Sequence, residues 1–263
     1  MSERGYALVT GASSGIGECF AKALAARHQN LVVVARSREK LEKLAAELGR
    51  AHGVRVEVVV TDLSESGAAA RLAELIERQG WPIDLLINNA AFGARGEFWR
   101  LPLDRQMEML RLNVEAVVEL TYHLLPGMMA RPGTGIINVS STAGFQPIPY
   151  TALYAATKAF ITSFSMALRE ELRPHGIKVV TLCPGGTRTN FFVAGDYGSR
   201  SLPGGLQAPE EVAAAALKVL DRGGGLVIPR ALNKLSVFVQ RFLPRSVVAR
   251  IAGNVFRPPP SKA

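Results

Sequence analysis

Tyr154 and Lys158 stand four residues apart in the stretch Tyr154-Ala155-Ala156-Thr157-Lys158. On a helix that spacing puts both side chains on one face, one turn apart. A free phenol titrates at about pH 10 and exchanges protons poorly near neutrality. A cation beside it favours the phenolate, so the pair has the makings of a general acid/base. Ser141 lies thirteen residues before Tyr154 at the end of an apolar run, and the Pro-rich turn at 145–149 lets the two converge. Its hydroxyl is then placed to hold a carbonyl oxygen next to the phenol. No G-x-S-x-G elbow surrounds Ser141 and no His/Asp pair is positioned for it, which argues against a nucleophilic serine. The four histidines and the two cysteines, Cys19 and Cys183, are scattered without ligand or disulfide spacing, so no metal is expected.

Something must bring these groups together, and the hydrophobic pattern indicates what. Residues 6–10, 31–35, 54–61, 85–88, 135–140, 178–182 and 226–228 read as short apolar strands. Their Val/Ile/Leu content without clean alternation suits a sheet covered on both faces. Amphipathic helical stretches fall between them at 16–27, 38–52, 67–79, 104–129, 152–173 and 209–221. Strand and helix in alternation predict an α/β fold, a Rossmann-like doubly wound parallel sheet of about seven strands with helices on both faces. Residues 1–229 form one expected domain. Residues 230–263 are a basic amphipathic extension, part of that domain or peripheral to it.

The first strand runs into Thr10-Gly11-Ala12-Ser13-Ser14-Gly15-Ile16-Gly17. Glycines let backbone amides approach a pyrophosphate, and the helix that follows offers unpaired N–H groups and a positive dipole end. The second strand ends Ala35-Arg36 where an acidic residue would bind a free ribose hydroxyl, and an arginine there suits a 2′-phosphate. The expected cofactor is therefore NADP(H). Asp62, ending the third strand, is either a helix cap or an adenine contact. Asn88 to Ala91 end the fourth strand at the ligand-binding edge. Asn113 sits inside a long apolar helix, where a buried amide needs a specific network. For Asn89 and Asn113 a structural role and a catalytic one are both open.

Together these features resemble the short-chain dehydrogenase/reductase family over residues 6–192, through the glycine turn, Asp62, Asn88–Ala91, Asn113, Ser141, Tyr154, Lys158 and Pro184-Gly185. One departure is Ala91 where the family usually has glycine. The resemblance implies that Tyr154 exchanges a proton with the substrate oxygen and Ser141 orients that oxygen. Lys158 would lower the tyrosine pKa and bind the nicotinamide ribose, and Asn113 would hold a water linking Lys158 to solvent. It also implies that Gly11, Ser13, Ser14, Gly15, Ile16 and Gly17 surround the pyrophosphate and adenosine, with Arg36 at the 2′-phosphate. Asp62 and Leu63 would meet adenine, and Asn89 and Ala90 the adenosine-side ribose. Pro184, Gly185, Thr187 and Thr189 would line the nicotinamide carboxamide and phosphates. The implied activity is interconversion of a carbonyl and an alcohol, in the reductive direction, by a homodimer or homotetramer. A non-catalytic NADP(H)-binding regulator or scaffold on the same fold is the alternative.

Phe92, Phe145, Ile148, Tyr150, Phe191 and Phe192 are candidates for an apolar pocket lining, which favours a hydrophobic substrate: a 3-oxoacyl chain, a steroid-like ketone or an aryl ketone. The Gly- and Ser-containing stretch at 190–205 reads as a lid. The net charge of +9 is concentrated at the C-terminus, where residues 230–263 hold seven Lys/Arg and no Asp or Glu. Leu235, Phe238, Val239 and Phe242 recur at helical spacing, as do Val247, Val248, Ile251 and Val255, with Pro244 between the two groups. Such helices pack on the core, meet another subunit or lie on an anionic membrane surface; nucleic acid is not an expected partner. The N-terminus reads as lacking a signal peptide and no run is long enough to span a bilayer, so the expected location is the cytoplasm, with peripheral membrane contact open.

Overall fold

The computed structural model describes residues 5–191 and 205–258. Seven parallel strands form one sheet: β1 (Tyr6–Thr10), β2 (Asn30–Ala35), β3 (Val56–Val60), β4 (Ile83–Asn88), β5 (Gly135–Val139), β6 (Lys178–Leu182) and β7 (Gly225–Val227). Their spatial order is β3-β2-β1-β4-β5-β6-β7, and every neighbouring pair is parallel. The order reverses between β1 and β4. In an open wound sheet that is where a crevice forms at the carboxyl ends of the strands.

The helices are α1 (Gly15–Ala25), α2 (Arg38–His52), α3 (Ala68–Arg78), α4 (Leu103–Leu110), α5 (Ala116–Met129), α6 (Ala152–Leu172), α7 (Pro209–Asp221), α8 (Ala231–Val239) and α9 (Arg245–Phe256). Strand residues alternate between two cores. Ala7, Val9, Leu31 and Val33 pack with Phe20, Leu44 and Leu217 of α1, α2 and α7. Leu8, Val32, Val34 and Leu86 pack with Leu72, Leu120 and Leu168 of α3, α5 and α6. Apolar runs without polar alternation are thus explained: both faces of each central strand are covered.

The expected continuous helix at 104–129 is instead three pieces. A π-helical turn at Arg111–Glu115 joins α4 to α5 and turns Asn113 inward, with 1% exposure. The extra residue in that turn re-aims one side chain without ending the helix. The outer strand expected at 54–61 is Val56–Val60, with further ladder bonds to β2 from the Leu31 N–H to the Arg55 carbonyl at 2.9 Å and from the Thr61 N–H to the Ala35 carbonyl at 3.1 Å.

Candidate active site

Each catalytic candidate is held by an element whose local sequence explains its place. Ser140 and Ser141 directly follow β5, and Tyr154 and Lys158 lie in the first two turns of α6. The Ser140 hydroxyl donates to the Lys158 carbonyl at 2.7 Å, and the Thr162 hydroxyl donates to the same oxygen at 2.9 Å. Gly144 allows this approach, since a Cβ there would sit 2.6 Å from the Lys158 carbonyl oxygen. These contacts pin the start of α6 to the carboxyl end of β5.

The Lys158 ammonium is buried, donates to the Val139 carbonyl at 2.8 Å, and lies 5.8 Å from the centre of the Tyr154 ring. Burial pushes Lys158 down to about 8, with Cys183 opposing. Burial pushes the Tyr154 phenol up to about 12, and hydrogen bonding to Ser141 draws it partly back. Tyr154 keeps some surface in the cleft, so water screens part of that push. The expectation that Lys158 lowers the phenol is therefore corrected for the chain alone. Desolvation outweighs the cation, whose Nζ is turned towards a backbone carbonyl. What results is a phenol that holds its proton and an amine that readily gives one up.

Asn113 sits in a positioning network. Its Oδ1 accepts from the Phe92 amide at 3.1 Å, and its Nδ2 donates to the Phe92 carbonyl at 3.0 Å and the Thr157 hydroxyl at 3.1 Å. Thr157 in turn donates to the Tyr154 carbonyl at 2.7 Å. The amide is spent on positioning the Phe92 segment and the tyrosine turn, leaving its side chain no free N–H for a water. Asn89 is similar: its Nδ2 donates to the Thr10 carbonyl at 2.8 Å and faces that of Gly11 at 3.4 Å. It clamps the glycine turn while one side of it lines the cleft.

In that turn Gly11 and Gly15 adopt φ of +68° and +60°, left-handed values that cost other residues strain. Gly17 is buried and does not line the cleft. A Cβ on it would lie 2.3 Å from the Gly11 carbonyl oxygen, so this glycine serves helix–turn packing, not ligand contact.

A cavity of about 1100 Å³ runs along the strand ends. At one end it is lined by Gly11, Ser13, Ser14, Gly15, Ile16, Arg36, Asp62, Leu63, Asn89 and Ala90. Next come Ser141, Tyr154, Lys158, Pro184, Gly185, Thr187 and Thr189, and beyond them Phe92, Ile148 and Phe191. The Phe191 ring is 5.2 Å from that of Tyr154. Phe145 and Tyr150, expected in the lining, are not part of it: both lie in the turn before α6, and Tyr150 faces a small separate cavity. Phe192 and most of the expected lid, 192–204, lie outside the described residues.

Arg36 pairs with Asp62 at 3.4 Å, mostly in solvent. Burial raises the Asp62 carboxyl, but hydrogen bonds from Ser64 and the Arg36 charge outweigh it and hold it below the usual range. Ser37 and Lys40 join Arg36 in the lining and were missed from sequence. The signal was a second cation in the first turn of a helix whose N-terminus faces the cleft. The C-terminal helices were missed as a wall of the site as well. Leu232, Val237, Leu243, Val248, Val255 and Phe256 line its far end. Ala252 and Phe256 pack with Ile148, Ala155 and Tyr154, and Arg95 donates to the carbonyls of Phe256 and Arg257 at 2.8 and 2.6 Å.

The profile described as short chain dehydrogenase matches residues 5–195. A very-long-chain 3-oxoacyl-CoA reductase of Anas platyrhynchos is 37% identical over 184 residues, 68% of this chain and 58% of that protein. The ketoacyl reductase HetN of Nostoc is 30% identical over 246 residues, 91% of this chain and 85% of that protein. The chain thus spans less than two thirds of the first of these relatives. Among solved structures, a short-chain dehydrogenase from Sphingobium yanoikuyae in complex with NADPH superposes with a TM-score of 0.81 at 33% identity, covering 90% of this chain and 94% of that one. A 7beta-hydroxysteroid dehydrogenase superposes with a TM-score of 0.83 at 30% identity, covering 94% and 96%. With the profile covering well over half its length, the chain belongs to the short-chain dehydrogenase family.

Proposed function

We propose that the protein is an NADP(H)-dependent oxidoreductase that reduces a hydrophobic carbonyl to an alcohol. The observation that carries this is the single cleft joining a glycine turn, a cationic corner, a buried phenol–amine pair and an apolar end. At about 1100 Å³ it exceeds the roughly 300–1,000 Å³ of a pocket for one small ligand, which leaves room for a dinucleotide and a substrate together. The cradle fits the dinucleotide: left-handed glycines bring backbone amides to its phosphates, and Arg36 and Lys40 stand at the strand end where a 2′-phosphate falls. When bound, the reduced nicotinamide supplies the hydride. Ser141 orients the carbonyl oxygen, and Tyr154 delivers the proton to it. Lys158, through its carbonyl, and Thr157 hold the phenol's turn in place. An unperturbed phenol is already protonated at neutral pH, and burial pushes Tyr154 further that way, which suits the reductive direction.

The apolar far wall and the names of the relatives support a 3-oxoacyl substrate ahead of a steroid-like or aryl ketone. A purely regulatory binding role is less supported, because a sensor needs no desolvated proton donor. The cationic corner gives the test of cofactor choice. Arg36→Ala with Lys40→Ala is expected to weaken NADPH binding by about 30-fold or more, from loss of charge-assisted hydrogen bonds, and to leave NADH within about twofold. Equal weakening of both, measured by nucleotide fluorescence titration, would remove the 2′-phosphate assignment.

For assembly we infer a homodimer through α5 and α6. Tyr122, Met129, Phe160 and Met166 are large exposed apolar side chains on these two helices, more than a solvated helix face ordinarily carries. Light scattering is expected to give twice the chain mass, and a monomer at micromolar concentration would count against it. Residues 230–263 are best treated as part of the same domain, since α8 and α9 complete the cleft. Among the described residues no helix is long and apolar enough to cross a membrane.

A further inference from the structure

The α8–α9 hairpin has two apolar faces, and only one of them meets the protein. Val237, Val248 and Ala252 are buried against the core. Leu235, Phe238, Phe242 and Val247 are exposed and take no part in lining the cleft. Leu235, Phe238 and Phe242 share one helical face by spacing, and the two phenylalanine rings meet edge to face at 5.3 Å. Phe242 is 73% exposed. Lys234, Arg241, Arg245 and Arg250 border this face, each exposed and, among the described residues, without an ion pair. No Asp or Glu occurs from residue 230 onward. A third set, Leu232, Val239, Leu243 and Ile251, is both exposed and cleft-lining, so apolar surface continues from the outer face to the cleft.

We propose that this hairpin docks on an anionic lipid bilayer, with its aromatic face in the acyl–headgroup boundary and its cations at the lipid phosphates, and that the cleft takes its substrate from that bilayer. Exposed large apolar residues ringed by unpaired cations, with no acidic residue among them, match such a surface in both polarity and charge. An acidic carrier protein would meet the cations but would leave the protruding rings in water. A second copy of this chain would bring like charges face to face. The docking follows from the hairpin alone; delivery into the cleft rests on the hydrophobic-carbonyl assignment above.

The test is co-sedimentation of the full chain with phosphatidylcholine vesicles, with and without phosphatidylserine. Binding is expected to the anionic vesicles, to be weak on phosphatidylcholine alone, and to fall as salt rises. Lys234→Gln, Arg241→Gln and Arg245→Gln are each expected to lower the partition coefficient about fivefold, and Phe238→Ser with Phe242→Ser by about tenfold or more. None of these residues lines the cleft, so NADPH-dependent turnover of a water-soluble ketone should stay within about twofold in every variant, which also reports folding. A long-chain 3-oxoacyl substrate carried in anionic vesicles should turn over faster than in neutral ones, and the charge variants should lose that advantage. Failure to sediment with either vesicle would overturn the proposal. So would unchanged partitioning of the variants, loss of dimer mass on replacing the phenylalanines, or competition for this face by an acidic carrier protein. Absence of turnover with any ketone would instead defeat the catalytic assignment while leaving vesicle binding intact.

Discussion

Tyr154→Phe is expected to bind NADPH within about twofold of the parent chain and to lose about 10²–10⁴ in kcat, the range of a positioned general acid. The substitution removes one hydroxyl from a ring fixed on several sides. Phe191 packs against it, and Thr157 ties its turn to Asn113. The ring therefore stays in place, and the loss falls on proton delivery. A structural role would act differently, lowering thermal stability and nucleotide affinity along with turnover. Fluorescence titration of NADPH beside steady-state kinetics separates the two. Turnover retained to within tenfold would move the acid to another group.

Lys158→Met is expected to make the protein more stable at pH 7 while cutting turnover by about a hundredfold or more. The amine is displaced from 10.5 to about 8 by burial, and holding it charged at pH 7 costs about 3 kcal/mol. Its hydrogen bond to the Val139 carbonyl offsets about 1–2 kcal/mol of this, and that bond is lost in the variant. The desolvation cost is the larger of the two, so a modestly higher Tm is expected at pH 7. The pH dependence has a definite sign. Between about 8 and 10.5 the unfolded chain binds the proton that the folded chain releases, so the parent gains stability as pH rises through that window. The advantage of Lys158→Met should therefore shrink from pH 7 to pH 10. Above pH 10 Tyr154 acts the other way: the folded chain keeps a proton, up to about 12, that the unfolded chain has lost, and stability falls. Calorimetry across pH 7–10 checks the first trend, and a Tm lower than the parent's at pH 7 would show that the lysine stabilises the fold.

Most of the frame was legible because its signals are local. Val/Ile/Leu strands, helices bounded by turn residues and the glycine turn each depend on neighbours in sequence, and α2 and α7 fall where periodicity put them. The catalytic set was legible because Tyr154 and Lys158 are one turn apart and Ser141 closely follows the preceding strand. Less legible were effects that depend on surroundings. The π-helical turn at Asn113 repeats the apolar pattern of an ordinary helix, so a spacing argument does not see it. Phe145 and Tyr150 carry the same side-chain chemistry as Phe92 and Phe191, and only the path of the turn before α6 decides which of them reach the cleft. The phenol's pKa was expected to fall beside a cation, but charge proximity is visible in a sequence and desolvation is not. The C-terminal wall has the same origin: basic amphipathic helices have several possible partners, and their inner faces are assigned only by contacts such as Arg95 to Phe256.

The central claim is that one cleft holds a reduced nicotinamide dinucleotide and a hydrophobic ketone side by side. Its most direct measurement is NADPH absorbance in the presence of the purified chain and a medium- or long-chain 3-oxoacyl thioester, with NADH and the Tyr154→Phe chain alongside. The expected result is rapid, substrate-dependent loss of NADPH with stoichiometric 3-hydroxyacyl product, much slower loss of NADH, and almost none with Tyr154→Phe. NADPH that binds tightly yet stays reduced with 3-oxoacyl, steroid and aryl ketones alike would contradict it.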